Sequence, residues 1–179
     1  MSIEKFSTAS NEEVYGPAMA ALFNNIHASD IHSLLEKHNI SKADLKDWIS
    51  LQRIMALYED MDNREDISRN YVALGIQTID EIPYPPGTDT VEKALKALEA
   101  AYQKSHRNHR PNEGTKIIFK SPQQAVIVFN APYPDDIMFG YVWGTIRRFL
   151  PVDARFSVRY VEPYEAGVTD PGTVMLAEW

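Results

Sequence analysis

The sequence predicts an α+β fold, with a helical half followed by an antiparallel sheet packed on helices. In the first part of the chain, apolar residues recur every three or four positions, which is typical of helices that bury one face. After Gly114 the spacing changes to two, as in strands with one face toward water. One helical segment interrupts the four predicted strands, which gives the order β-β-α-β-β. We expect a single domain over residues 1–179, with the helical half at 1–110 and the sheet with its helix at 111–179.

The helical half divides into five predicted segments. Ser41 and Asp44 form a capping-box pattern at the start of the third, and the proline-rich break Pro83–Gly87 separates the fourth from the fifth. The apolar stripes on Leu45–Tyr58 and Ile67–Ile79 are wider than one small sheet can cover, so they predict a homodimer through this half. The five segments are Asn11–Ile26, Ser29 or Asp30 to His38, Ser41–Met61, Glu65–Glu81 and Asp89–His106.

Four strands are predicted after residue 114. The second is apolar on both faces, as expected of a central strand, whereas the first and third alternate apolar with polar residues. The four strands are Thr115–Lys120, Ala125–Phe129, Arg155–Val161 and Thr173–Trp179.

The helix predicted between the second and third strands runs from Asp135 to Leu150. Asp135 and Asp136 lie at its start, where carboxylates accept from free backbone N–H groups and meet the positive end of the helix dipole. They could also form an acid–base pair, but adjacent helical residues point about 100° apart, so capping is the simpler interpretation. Gly140 and Gly144 lie one turn apart, which predicts a close approach to another backbone.

The composition excludes several classes of protein. A net charge of −7 argues against a general nucleic-acid binder, which needs a basic face. No apolar run approaches the ~18 residues of a membrane span, and the first residues lack the layout of a signal peptide, so we expect a cytoplasmic protein. Because the chain contains no cysteine, it has no disulfide, thiol nucleophile or thiolate metal site.

His106 and His109 form the one close histidine pair that could share a helix face, which makes them the metal candidates. A metal site needs a further converging ligand, and Asn108 and Glu113 are poor choices. Interaction of His106, Arg107 and Arg110 with the helix C-terminus is the simpler interpretation, so we expect no metal and no cofactor. No sequence motif activates a Ser, Thr or Lys nucleophile, and no catalytic residue is assigned. The remaining histidines are interpreted as surface groups: His27, His32 and His38.

Large aromatic residues recur along the predicted apolar faces. Apolar pockets with a few polar tips are typical of small-molecule sites. For any single aromatic residue, filling the core is the simpler interpretation. Six are assigned as candidate ligand-binding residues: Trp48, Tyr71, Tyr102, Tyr133, Phe139 and Trp143.

Several stretches are similar to a known superfamily. They are Ile76–Ile82 between a Leu-Gly pair and the proline-rich break, Tyr102–His109 at a helix end, and the strand pair leading into Pro132–Asp135 and Phe139–Gly144. From about Leu34 to Trp179 the chain resembles the superfamily that contains haem nitric-oxide-binding (H-NOX-like) domains, 4-vinyl reductase domains and TRAPP vesicle-transport subunits. The resemblance implies a scaffold that, in relatives, holds a small or lipid-like ligand or pairs with another copy.

Two departures from the superfamily bear on function. Haem-binding members carry a Tyr-x-Ser-x-Arg signature that holds the haem propionates, and the equivalent stretch, Phe129–Asp135, contains neither Ser nor Arg. Some members close with a cysteine-rich and glycine-rich hairpin, which has no counterpart in Val161–Trp179. The resemblance therefore does not carry haem binding or thiolate metal binding over to this chain.

We therefore predict a small-molecule-binding or sensor-like module without haem and without catalysis, whose ligand is apolar or amphipathic. The first alternative is a homodimeric structural or adaptor protein, and the second is an enzyme of the vinyl-reductase type. A retained small molecule would favour the binding module, whereas a dry, filled core with a large apolar interface would favour the adaptor.

Overall fold

The computed structural model describes residues 3–26 and 28–179, and it confirms the predicted α+β class. The surface interpretation of His27 and the capping roles of Ser29 and Asp30 lie outside the residues and side chains that it describes. The helices are α1 (Gly16–Phe23), α2 (Ala28–Lys37), α3 (Leu51–Asp62), α4 (Glu65–Ser68), α5 (Tyr71–Glu81), α6 (Val91–Ser105), α7 (Asp135–Phe149) and α8 (Pro163–Ala166), with a 3-10 turn at Asp44–Lys46. The strands are β1 (Glu13–Tyr15), β2 (Trp48–Ser50), β3 (His106–Arg107), β4 (Gly114–Ser121), β5 (Gln124–Asn130), β6 (Ser157–Tyr160) and β7 (Thr173–Glu178).

The strands form two antiparallel sheets. The larger has the order β4-β5-β7-β6, and β5 lies inside it with nearly every residue buried, as predicted for a central strand. The smaller has the order β2-β1-β3 and joins three short segments that are distant in sequence. The sequence did not predict this smaller sheet, because strands of two or three residues carry almost no periodicity.

The larger sheet separates two apolar clusters. Ala125, Ile127 and Phe129 of β5 face the helices and belong to the main core. Val126 and Val128 point to the opposite side and pack with residues of α8 and the segment after it. Strand alternation thus divides the core, and the larger cluster lies between the sheet and the helices.

The predicted helix Ser41–Met61 is wrong in its first half. Ser41 and Asp44 do form the capping box, since the backbone N–H of Ser41 donates to Asp44 Oδ2 at 2.7 Å and that of Asp44 donates to Ser41 Oγ at 3.2 Å. These bonds open only a 3-10 turn. The chain then extends as β2 and pairs with β1, and helix α3 begins at Leu51. Pairing between distant segments overrides the local helical spacing here.

Two other predicted helices are divided. Asn11–Ile26 forms β1 followed by α1, and Pro17 lies in the first turn of α1, where its missing N–H costs nothing. Glu65–Glu81 forms α4 and α5, and the Asn70 side chain at their junction donates to the Asp66 carbonyl at 2.7 Å. An amide that bonds to a nearby carbonyl competes with the helix, which explains the break.

Helices α5 and α7 approach each other closely at glycine residues. A Cβ atom added to Gly140 would overlap the Val72 carbonyl oxygen and lie 2.9 Å from Gly75 Cα. A Cβ added to Gly144 would lie 3.2 Å from Ile76 Cα and 3.3 Å from the Ile79 side chain. The structure thus confirms the predicted close approach at Gly140 and Gly144, and it identifies Gly75 as the partner of Gly140.

The apolar stripes of the helical half are covered inside one chain. Their buried members include Ile54, Tyr58, Ile67, Leu74 and Ile79, each at most 6% exposed. The argument that these stripes require a second copy of the chain therefore does not hold, because the main core already contains them.

Candidate functional site

An apolar pocket of about 140 Å³ lies within the main core. Residues of α1, α3, α5, α6, β3, β4 and α7 line it, together with side chains from the connections between these elements. Its apolar lining includes Met19, Ile79, Leu98, Ile137 and Met138. The exposed residue Ala101 also lines it, so the pocket reaches the surface beside α6.

The polar wall of the pocket centres on His106, which follows α6 and is 6% exposed. Its Nδ1 lies 3.0 Å from the Tyr102 carbonyl oxygen, and its Nε2 lies 2.6 Å from the Tyr133 hydroxyl. Because a carbonyl can only accept, Nδ1 carries the proton and Nε2 accepts from Tyr133. The bond to Tyr102 confirms the predicted interaction with the helix C-terminus for His106. The side chain of Arg107 instead donates to Glu13 at 2.6 Å, and that of Arg110 donates to Ser7 Oγ at 3.1 Å.

Behind this wall, Tyr102 connects the pocket to two buried carboxyl groups. The ring of Tyr102 stacks on His106 with centroids 3.9 Å apart, and its hydroxyl donates to Glu113 Oε1 at 2.5 Å. Glu113 is 3% exposed and the adjacent Glu12 is 2% exposed. Burial raises the pKa of Glu113, and repulsion from Glu12 adds to that effect.

Burial keeps the pocket wall uncharged near neutral pH. It lowers the pKa of His106 from 6.5 to about 4. It also raises the pKa of Tyr58 and of Tyr133 well above their ordinary value, with a further contribution from the neighbouring tyrosine Tyr141. No Lys, Arg, Asp or Glu is among the described residues that line the pocket. The site therefore suits a neutral molecule.

The structure brings two of the six assigned aromatic residues into this pocket, Tyr102 and Tyr133. Tyr71 lies in the main core at 2% exposure, and its hydroxyl has no hydrogen-bond partner among the described residues. Trp48 lies on the small sheet.

The last two assigned aromatics pack at the periphery of the core. Phe139 packs on Tyr160 with ring centroids 5.1 Å apart and planes tilted by 41°, and Trp143 packs on Phe156 with centroids 5.0 Å apart. Neither is among the residues that line the pocket.

Several lining residues were not assigned from the sequence. Thr115 could have been identified, because it occupies the same strand face as the inward-facing Ile117 and Phe119 and is polar. Thr78 and Ala18 carry no such signal, since their position depends on how α5 and α1 pack.

Other predicted groups lie elsewhere. The described residues contain no cluster of three or more potential metal ligands, and the second metal candidate, His109, has its Nδ1 3.1 Å from the Arg110 carbonyl oxygen. Asp135 and Asp136 occupy the first turn of α7 without capping it through their side chains. Asp136 instead accepts from the Tyr160 hydroxyl at 2.8 Å. Within the described residues, no helix is long and apolar enough to cross a membrane.

No family model and no curated protein matches this chain. Several solved structures, however, match the chain. An H-NOX protein from S. oneidensis in the Fe(II) ligation state matches with a TM-score of 0.59 and 16% identity, over 92% of this chain and 95% of that one. The same kind of protein in the Fe(II)NO state gives a TM-score of 0.56 and 15% identity, over 91% and 97%.

A further structure comes from work on haem redox potential and protein-induced porphyrin distortion. It matches with a TM-score of 0.63 and 12% identity, over 92% of this chain and 94% of that one. The chain therefore has an H-NOX-like fold, as its sequence predicted. At these identities the likeness concerns the fold alone.

Proposed function

We propose that this protein uses its H-NOX-like fold as a sensor-like module that binds a small molecule in the apolar pocket, without haem and without catalysis. The observation that carries the proposal is the pocket itself, which has a volume of about 140 Å³ and lies within the main core. An engineered cavity of about 150 Å³ in another protein stays dry and binds benzene or xenon. A ligand of roughly that size therefore suits this site.

The pocket supports binding without haem in two ways. Its volume matches a single six-membered ring, which is far smaller than a porphyrin. Its described lining contains no Lys or Arg to pair with the two carboxylates of haem, and His106 Nε2 already accepts from Tyr133.

The state of the polar wall supports binding rather than catalysis. A general acid or base works best when its pKa lies near the working pH. Burial instead moves the pKa of His106 down to about 4 and that of Tyr133 upward. This argument also weighs against an enzyme of the vinyl-reductase type.

Filling the pocket tests the proposal. Ala18 lines it on α1, whereas Ala20 lies on the same helix outside the lining. We expect benzene or indole to raise the melting temperature of the wild type and of Ala20→Leu, because a ligand that binds only the folded state stabilises it. Ala18→Leu places three more carbons in the pocket and should lose this response. Failure of every such probe to stabilise the wild type would refute the proposal.

A homodimeric adaptor stays the second candidate, and the homodimer and the cytoplasmic location remain predictions. The covered apolar stripes remove the original reason for a dimer. Light scattering decides the oligomeric state: a mass near 20.4 kDa at all concentrations excludes the homodimer.

A further inference from the structure

One threonine hydroxyl in the pocket wall is buried without a hydrogen-bond partner among the described residues. Among the serine and threonine hydroxyls that line it, that of Thr78 donates to the Leu74 carbonyl at 2.8 Å and that of Ser105 to the Ala101 carbonyl at 2.8 Å. Thr115 differs. The whole Thr115 residue is 7% exposed, and its hydroxyl oxygen, Oγ1, has no hydrogen-bond partner within the described part of the chain.

The backbone explains why Thr115 faces the pocket. Thr115 on β4 pairs with Phe129 on β5, and Phe129 belongs to the main core. Ile117 and Phe119, two and four residues later, pack on the same core. Alternation along β4 therefore turns the Thr115 side chain toward the helices, into a position that the pattern otherwise fills with apolar side chains.

A buried hydroxyl without a partner is costly, because it has lost water and gained nothing in return. Removing the hydroxyl would relieve that cost, and so would a bound molecule that offers an acceptor. The rest of the wall limits what that molecule can be. Its neutral imidazole and phenols, and the lack of charged side chains in the described lining, disfavour an ion.

Building on the proposed function, we infer that the ligand is a neutral carbonyl compound about the size of a six-membered ring, whose oxygen accepts a hydrogen bond from Thr115. The apolar body of such a molecule fills the space beside Ile79, Leu98 and Met138. Its single oxygen meets the buried hydroxyl once a change of the Thr115 χ1 rotamer turns Oγ1 into the pocket. A pure hydrocarbon of the same shape fits the pocket but leaves Thr115 unpaired.

Two probes of equal shape test this inference. Cyclohexanone and methylenecyclohexane differ only in a C=O group against a C=CH2 group. Titration calorimetry gives the ratio of their Kd values for the wild type, for Thr115→Val and for Tyr71→Phe. Thr115→Val removes the hydroxyl at nearly constant shape. Tyr71→Phe is the control, because it removes another buried hydroxyl without a partner, on a residue outside the pocket lining.

We expect the preference for the ketone to fall about three- to tenfold in Thr115→Val, because that is the range of one hydrogen bond. The preference should stay unchanged in Tyr71→Phe. Comparing ratios between variants cancels the different hydration of the two probes. If Thr115→Val does not fold, the carbonyl stretch of bound cyclohexanone in the wild type decides: a shift to the hydrogen-bonded frequency supports the inference, and an unshifted band overturns it.

The remaining outcomes separate this inference from the proposed function. If both probes bind and the ratio is the same in Thr115→Val, the pocket binds ligands but Thr115 does not select them, and the inference is wrong. If neither probe binds the wild type, the proposed function fails and the inference fails with it.

Discussion

The hydrogen bond between Tyr133 and His106 is the residue-scale feature on which the pocket wall depends. Both side chains are buried, so neither can exchange its partner for water. Tyr133→Phe leaves His106 Nε2 as a buried acceptor without a donor, which should cost about 1–3 kcal/mol of unfolding free energy. Tyr160→Phe also removes a tyrosine hydrogen bond, to Asp136, but at an exposed site, where we expect less than about 0.5 kcal/mol. Equal losses in urea unfolding would contradict the buried bond.

His106 also gives the protein a defined response to acid. The unfolded chain protonates this imidazole near pH 6.5, whereas the folded chain does so only near pH 4. The unfolded state therefore binds more protons between these values, and stability falls as the pH falls from 6.5 to 4. The full contribution is about 3 kcal/mol.

Carboxyl groups titrate in the same range, so the measurement is a difference between proteins. Unfolding free energy followed from pH 7 to 4 should fall about 3 kcal/mol less in His106→Gln than in the wild type. His32→Gln changes an exposed histidine and should follow the wild type. A curve for His106→Gln that parallels the wild type would show that His106 titrates normally.

At the scale of elements, the contact between α5 and α7 predicts the order of stability among three variants at Gly140 and Gly144. Gly140→Ala pushes a methyl into the backbone of α5, so we expect a loss of about 1–3 kcal/mol despite better helix propensity. Gly144→Ala has slightly more room, and a gain of about 1 kcal/mol in propensity should leave it near neutral. Gly144→Leu should lose about 1–3 kcal/mol. Chemical unfolding of the three variants tests the order, which fails if Gly140→Ala is the mildest.

At the scale of the whole molecule, the protein shares its fold with the H-NOX structures that it resembles, and the ligand proposed for it is smaller than haem. We expect the purified protein to be colourless and to show no sharp Soret band after haemin is added. The reason is a pocket of about 140 Å³ without a cationic side chain in its described lining. A Soret band that forms with equimolar haemin and is lost in His106→Gln would contradict the prediction. His109→Gln is the matched control, because it changes the neighbouring histidine outside the pocket lining.

The sequence alone determined the α+β class, the β-β-α-β-β order and the boundaries of α6, α7 and the larger strands to within a few residues. These elements are long and strongly periodic, so each carries its own signal. It also identified the glycine contact of α7, because glycine one turn apart inside a helix has a cost that only packing offsets.

Tertiary structure decided the remainder. The small sheet exists because β1, β2 and β3 pair across the chain, and no local pattern marks segments of two or three residues. The pocket likewise depends on the spacing between helices, so Ala18 and Thr78 are part of it for reasons that their neighbours in sequence do not encode. Local periodicity specifies which face of an element is buried. Only the packing of several elements specifies where a buried face leaves space for a ligand.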